Sequence, residues 1–320
     1  MPKLVLSVIV MLFLSLHGIG YAKDFPTKPL RLVVPYPPGG GTDIMSRLVG
    51  RKLSERLGHP VVVDNRPGGN GVIGPEIVAG AVPDGHTLLM IISTHTVLPS
   101  LQKLSYDLIK DFSPVIHLAD LPNVLVARQN FSVTSVKDLI ATAKKDNRQF
   151  TYANGGLGGP SHLSGVLFSH MTGVNLLAVP YKGTGPGMLA VVGEQVDLMF
   201  STLPSAIPHI RAGRVKGLAI TGKKRLSVLS DLPTIDESGV KGYELVSWYG
   251  FTVRAGTPAS SVNYLYREIS ALLKDPEMRQ LLDAQGAQVT GYGPAEFSSY
   301  LQREIKRWAE IVKSTNLKAE

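Results

Sequence analysis

The stretch LRLVVPYPPGGGTDIMSRLVGRKLSERLG, residues 30–58, decides the fold. It opens on a β-branched apolar run, LRLVV, and closes on a segment whose apolar residues recur at helical spacing. Between them stand Gly39, Gly40 and Gly41. Strand, glycine loop and helix is an order in which many proteins hold a phosphate, but neither nucleotide template fits. A phosphate loop closes on Lys followed by Ser or Thr, and this chain continues TDIM (42–45). The dinucleotide fingerprint needs a G-x-G-x-x-G spacing, which Thr42 and Ile44 break. What remains is general physics. Glycines let the backbone approach a ligand, and a helix start offers free N–H groups and the positive end of its dipole. Thr42 and Asp43 are both good N-cap residues. A phosphate beside the fixed Asp43 carboxylate is a poor match, whereas a single carboxylate is plausible. A plain capped turn with no ligand is the competing reading.

The same grammar spreads outward. VVVDN (61–65) leads into a helix with Pro75 in its first turn, and TLLMII (87–92) is a third strand after the turn PDG (83–85). A second series begins after FSPVIHLADLPNVLVARQN, alternating helices with the strands QFTYAN, LLAVP, VDLMFST and KGLAIT (216–221). Such alternation predicts parallel sheets covered by helices. ELVSWYGFTVRAG (244–256) then reads as a long extended stretch, and only helices are expected after it. Val262, Leu265, Ile269 and Leu272 share one face of the first, and Phe297, Leu301, Ile305, Trp308 and Val312 one face of the last. These helices need an earlier sheet to cover. The chain is therefore expected to leave through 115–127, fold a second domain, and return through 244–253. This predicts an α/β, two-domain periplasmic binding protein of type II-like architecture, with two crossing hinge strands and a cleft between the domains. The expected division is 23–121 with 246–320 for the first domain and 122–245 for the second.

Composition narrows the function. Lys3, the apolar run 4–16 and the small residues before Lys23 have the layout of a secretory signal peptide, expected over 1–22. The run is too short to span a bilayer as a helix. With no cysteine, the 320-residue chain can have no disulfide scaffold, thiol nucleophile or thiolate metal site. Losing Lys3 lowers the net charge of +8 by one, to +7, with the cations scattered and KKR (223–225) the densest run. Nucleic acid is not an expected partner; a soluble face that mildly attracts anions is the preferred reading.

Three further junctions repeat the glycine device: YANGGLGGPSHLSG (152–165), YKGTGP (181–186) and the hydroxyl-bearing FSTLPS (200–205). In parallel sheets such junctions lie at the carboxyl ends of strands, where ligands bind. His162 lacks the surroundings of a catalytic base, since no GxSxG or equivalent stands near it. A serine hydrolase using Ser161 or Ser164 with His162 is thus a weak rival. No histidine pair or HExxH marks a metal site, and no cofactor is expected. His162 can bond loop backbone at a helix start or touch the ligand directly. Trp248 can be core or cleft wall, and Lys182 can neutralise an anion or simply be solvated.

The chain resembles the Bug family, the TctC-like solute receptors of tripartite tricarboxylate transporters. The resemblance runs from the signal peptide to the final helix. It is carried by YPPGGGTD (36–43), VVVDNRPGGNGVIG (61–74), PDGHTLL (83–89), YDLIKDFSPV (106–115), YKGTGP (181–186), QVDLMF (195–200), LPSAIPHIRAGRVKGLAIT (203–221), LPTIDESG (232–239) and WYGF (248–251). It implies a periplasmic, non-enzymatic receptor that closes over a small carboxylate-bearing molecule and delivers it to a permease of one large and one small membrane subunit. A monomer is expected, and a ligand-presenting sensor for a signalling partner is the alternative. The resemblance places Tyr36, Gly40, Gly41, Thr42 and Asp43 on one side of the ligand, with Ser93 added at the end of the third strand. Asn154, Gly155, Gly158, Ser161 and His162 would face them, with Lys182, Gly183 and Thr184. Ser201, Thr202 and Trp248 complete the expected pocket. After DLMF, family members often carry an acidic or amide pair where this chain has Ser201 and Thr202.

Overall fold

A computed structural model of the chain describes residues 25–146 and 149–315. The expected signal peptide and the start near Lys23 lie outside the described residues. LRLVV forms β1 (Leu30–Val34), four of whose five residues are buried. A strand buried on both faces reads as a continuous apolar run and wants parallel neighbours. It has them in β2 (Val61–Asn65) and β3 (Thr87–Ile92). The helices α1 (Gly41–Leu57), α2 (Ile73–Ala79) and α3 (Thr94–Leu101) follow these three strands. α1 ends at Gly58, whose φ of 65° gives the left-handed cap that stops a helix.

The seventeen-residue β4 (Phe112–Arg128) serves both halves of the molecule. Over Phe112–Pro122 it runs antiparallel to β9 (Val246–Arg254), which in turn pairs with β3. Over Asn123–Arg128 it lies between β7 (Leu198–Thr202) and β8 (Val215–Ile220). Beyond β7 come β5 (Phe150–Asn154) and β6 (Leu176–Pro180), all three parallel. The first sheet is thus ordered β2-β1-β3-β9-β4-β10 and the second β6-β5-β7-β4-β8. The molecule has two α/β domains of the periplasmic binding-protein type, joined by two extended crossings.

The second sheet carries α4 (Val136–Asp146), α5 (Pro160–Thr172), α6 (Thr184–Val192) and α7 (Leu203–Arg211). Phe131, Phe150, Phe168 and Tyr243 pack in one of its apolar clusters, and Met188, Met199, Leu203 and Ile207 in another. The first domain buries Leu32, Met45, Val49 and Phe251 with Leu265 and Ile269 of α8 (Ala259–Lys274). Burying each such side chain is worth about 1.5–3 kcal/mol.

The chain after β9 departs from the expected run of helices. Between α8 and α10 (Pro294–Thr315) lie a short α9 (Pro276–Asp283) and a strand, β10 (Gln288–Tyr292). β10 pairs antiparallel with β4 at His117–Asp120. Without it that stretch of β4 would present an open edge, and pairing it satisfies the backbone. The stripes on α8 and α10 pack inward as their spacing requires, with Ile305 partly buried.

Candidate functional site

Four helices of this fold begin at the domain junction with no side chain capping their first turn. They are α1 with Gly40 at its N-cap, α5 with Gly159, α6 with Gly183 and α7 with Thr202. The first turn of any helix leaves N–H groups without intrahelical partners. Away from the junction, α9 meets that need in the ordinary way, Asp275 accepting from the Met278 N–H at 3.0 Å, whereas α8 with Pro258 at its N-cap has no side-chain cap. At the junction the polar ends of the helices gather round a cavity of about 30 Å³. Tyr36, Thr42, Gly155, Ser161, Thr184 and Thr202 of the expected set line it, together with Asn70, Ile92, Thr94, Gly156, Gly159, Pro160 and Tyr249. Among the described residues, its lining holds no Lys, Arg or His.

Among the described residues, three buried hydroxyls here have no protein partner beyond one another: Thr202 Oγ1 has none, and Tyr36 Oη faces Thr94 Oγ1. An unpaired buried polar group costs about 1–3 kcal/mol, so such a cluster is set to receive something polar. Burial pushes the Tyr36 phenol up to about 12 and raises that of Tyr249, which keeps both as neutral donors. Uncharged donors and helix starts make an anion site whose positive potential comes from dipoles rather than from a cationic side chain.

The two domains meet here at close quarters. A Cβ on Gly40 would lie 2.8 Å from Thr184 Oγ1, and one on Gly41 would lie 2.7 Å from both Thr202 Oγ1 and Tyr249 Oη. Asn70 Nδ2 donates to the Leu157 carbonyl, and Ser205 Oγ donates to the Gly39 carbonyl at 3.3 Å. The glycine loops are the surfaces on which the closed cleft seals, which gives a steric reason for glycine at positions 40 and 41.

A model of the tripartite tricarboxylate transporter family receptor, TctC, matches residues 45–317. The chain belongs to that receptor family. The BugT protein of Bordetella pertussis is 33% identical over 319 residues, covering 98% of each chain. Among solved structures, the receptor is similar to R. palustris Rpa4515 with adipate, at 38% identity and a TM-score of 0.89, covering 92% of this chain and 99% of that one. It is also similar to MatC from Rhodopseudomonas palustris with bound malate, at 33% identity and a TM-score of 0.82, covering 90% and 100%. The chain is a periplasmic solute-binding protein and not an enzyme.

The remaining expected site residues of this receptor stand around the cavity rather than in its lining. α1 begins earlier than expected, so Asp43 is in its first turn and not at its cap. Its carboxylate accepts from the Gly39 N–H at 3.0 Å, Arg47 Nε at 2.9 Å and Asn65 Nδ2 at 3.0 Å. Burial works to raise the Asp43 pKa, and these bonds outweigh it and hold the group below its usual value. Asp43 therefore shapes the glycine loop. Asn154 Oδ1 accepts from the Gly156 N–H at 3.0 Å, and His162 Nδ1 from the Gly158 N–H at 3.2 Å. Both brace the opposing loop. Gly158 packs beside Val97 and Leu101, Gly183 beside Pro37, and Ser93 stands at the N-cap of α3 without a side-chain capping bond. Lys182 is exposed and outside the lining.

Two expectations need correction. Ser201 is fully buried, and its Oγ donates to the Thr202 carbonyl at 3.2 Å instead of facing the cavity. Trp248 is not cleft wall. It is 1% exposed and stacks edge-on against Phe297 and Tyr300 of α10. Successive strand residues face opposite ways, so its neighbour Tyr249 reaches the cavity. That alternation was the available signal for Tyr249. Thr94 follows directly on the expected Ser93, and Asn70 lies inside the quoted RPGGNG; neither carried a distinguishing mark of its own.

Proposed function

We propose that this receptor closes its two domains over a small carboxylate-bearing solute and delivers it to the large and small membrane subunits of a tripartite tricarboxylate-type transporter. The observation that carries the reading is the set of uncapped helix starts and unpaired buried hydroxyls converging on one cation-free cavity. A carboxylate there would accept from N–H groups of the α1 and α5 first turns and from Thr42, Thr184 and Thr202. Adipate and malate in the related proteins support a small carboxylate as the ligand class. The division into 23–121 with 246–320 and 122–245 is part of the same proposal, as are a cleaved leader over 1–22 and a monomeric receptor. Crossings at Pro122 and Val246 support the division.

Native mass spectrometry of the purified receptor, followed by a thermal-shift panel of mono-, di- and tricarboxylates including adipate and malate, tests the ligand class. The methyl ester of the best acid should bind about 10- to 150-fold more weakly, the equivalent of about 1.5–3 kcal/mol for lost charge-assisted bonds. An ester that binds as well as the acid would overturn the carboxylate reading. Deleting the gene and measuring uptake of that acid tests delivery; unchanged uptake would count against it.

A further inference from the structure

A second and larger cavity, of about 420 Å³, lies at the two crossings and shares no lining residue with the cleft. α5 of the second domain forms one side of it through Leu163 and Leu167; α10 of the first domain forms another through Trp308 and Ile311. These side chains also belong to a single apolar cluster bridging the domains. Asp120 of β4 and Glu304 of α10 make the remaining part acidic. We propose that this hinge cavity is a binding site for a small organic cation with an apolar tail, an alkylammonium, held by Asp120 with its tail along Leu163, Leu167 and Trp308.

The argument is one of unmet charge. Arg307 also lines the cavity, but it donates to Glu304 Oε1 at 3.2 Å and lies 5.6 Å over the Trp308 ring. Trp308 Nε1 donates to the other Glu304 oxygen at 3.2 Å. Among the described residues, no such partner serves Asp120, whose side chain is half-buried. It faces His117 Nε2 at 3.5 Å, a fully buried nitrogen with no hydrogen-bond partner. Burial drives the His117 pKa down to about 4, so at neutral pH that ring brings no positive charge. Burial, with the neighbouring Glu304 carboxylate, pushes Asp120 up to about 6. Tyr300 of α10 is kept neutral by burial. His170 of α5 is exposed, and exposed Glu244 is paired with Lys223 Nζ at 3.8 Å. An acidic hollow in a chain of net charge +8 is an ammonium site by complementarity, and its apolar walls supply the tail with burial worth about 0.8 kcal/mol per methylene. The occupant would touch both domains at once. Because α5 starts in the ligand cleft at Pro160 and Ser161, the site also shares a helix with the cleft. The inference stands independently of the solute in the cleft.

Titration of the whole receptor with hexylammonium chloride tests this by calorimetry and by fluorescence, Trp308 being one of only two tryptophans. Saturable one-site binding with a shift in emission is expected at pH 7.5. 1-Hexanol and hexanoate should bind at least tenfold more weakly. Asp120→Asn should cost hexylammonium at least tenfold and leave hexanol unchanged, and lowering the pH to 5 should act in the same direction. Leu167→Trp, which fills the cavity, should abolish binding in a protein whose melting and circular dichroism show it folded. Equal binding of amine and alcohol, non-saturable binding, or full affinity in either variant would overturn the proposal.

Discussion

Gly40 offers the sharpest test of how the cleft works. Its φ of −82° and ψ of 166° lie in the ordinary extended region, so a side chain there meets no backbone strain. In the closed receptor, however, its Cβ would stand 2.8 Å from Thr184 Oγ1 and 3.6 Å from the Gly185 nitrogen. Those atoms belong to the other domain, and an open receptor would not bring them near. Gly40→Val should therefore leave the unliganded fold intact and penalise closure alone. Forcing extra methyl groups into a packed contact costs about 1–3 kcal/mol. If binding requires closure, the whole of that cost appears in the affinity, a loss of about 5- to 150-fold. Gly40→Ala should fall at the low end, because the threonine hydroxyl can turn aside. The assay is calorimetric titration with the tightest acid of the carboxylate panel, alongside unliganded melting and small-angle scattering with and without ligand. Measured against Thr184→Ala alone, Gly40→Ala should cost less affinity than it does in the native chain, as expected when two residues share one contact. Unchanged affinity in Gly40→Val would refute the reasoning, since the loops would then not seal on each other. A large drop in the unliganded melting temperature would refute it too, by making Gly40 a folding residue.

Thr202→Val keeps shape and removes a buried unpaired hydroxyl; it should weaken carboxylate binding about 10- to 150-fold in titration, with little change in melting temperature. Ser201→Ala, one residue earlier and turned away, should bind normally. Asp43→Ala should lower the melting temperature by unpairing the Gly39 N–H and Arg47, a loss of about 1.5–3 kcal/mol for hydrogen bonds to a charged group. Its folded pKa is depressed, so that contribution is present above the unfolded value near 3.8 and disappears as pH falls through the lower folded value. Asp120 has the opposite sign. Its folded pKa is raised to about 6, so the neutral form is favoured on folding and that stability is lost as pH rises through 6. Asp120→Asn should raise the melting temperature above pH 6, with the gain gone below about pH 4; a pH-independent effect would contradict this.

The strands that could be read from sequence were those carried by short apolar, β-branched runs, whether buried on both faces like LRLVV or partly exposed like VVVDN. LRLVV and TLLMII are nearly continuous apolar runs that read as buried strands, and the long extended run of β4 predicts a crossing although Asp120, Pro122 and Asn123 stand at its middle. β10 escaped because its reason for existing lies elsewhere: QVTGY pairs only because β4 has an edge to cover at His117–Asp120. A local pattern cannot reveal a need created 170 residues away. The same distinction runs through the site. Helix starts and glycines are local features and were visible, so Thr42, Ser161 and Thr184 stood out.

Which polar atom is left unpaired is a property of the assembled molecule. Asp43 looked like a ligand residue and is spent on its own loop. Trp248 read as core or cleft wall and is core beneath α10, because the pleat that turns Tyr249 into the cleft must turn its neighbour the other way. Thr202 shows the limit most clearly. Alternation along β7 distinguishes it from Ser201, but the direction of that alternation is set by which face of β7 receives Phe200. Phe200 packs on Phe168 and Tyr152, on the α5 side of the sheet, and the choice between the two hydroxyls follows from a packing partner more than thirty residues away in sequence.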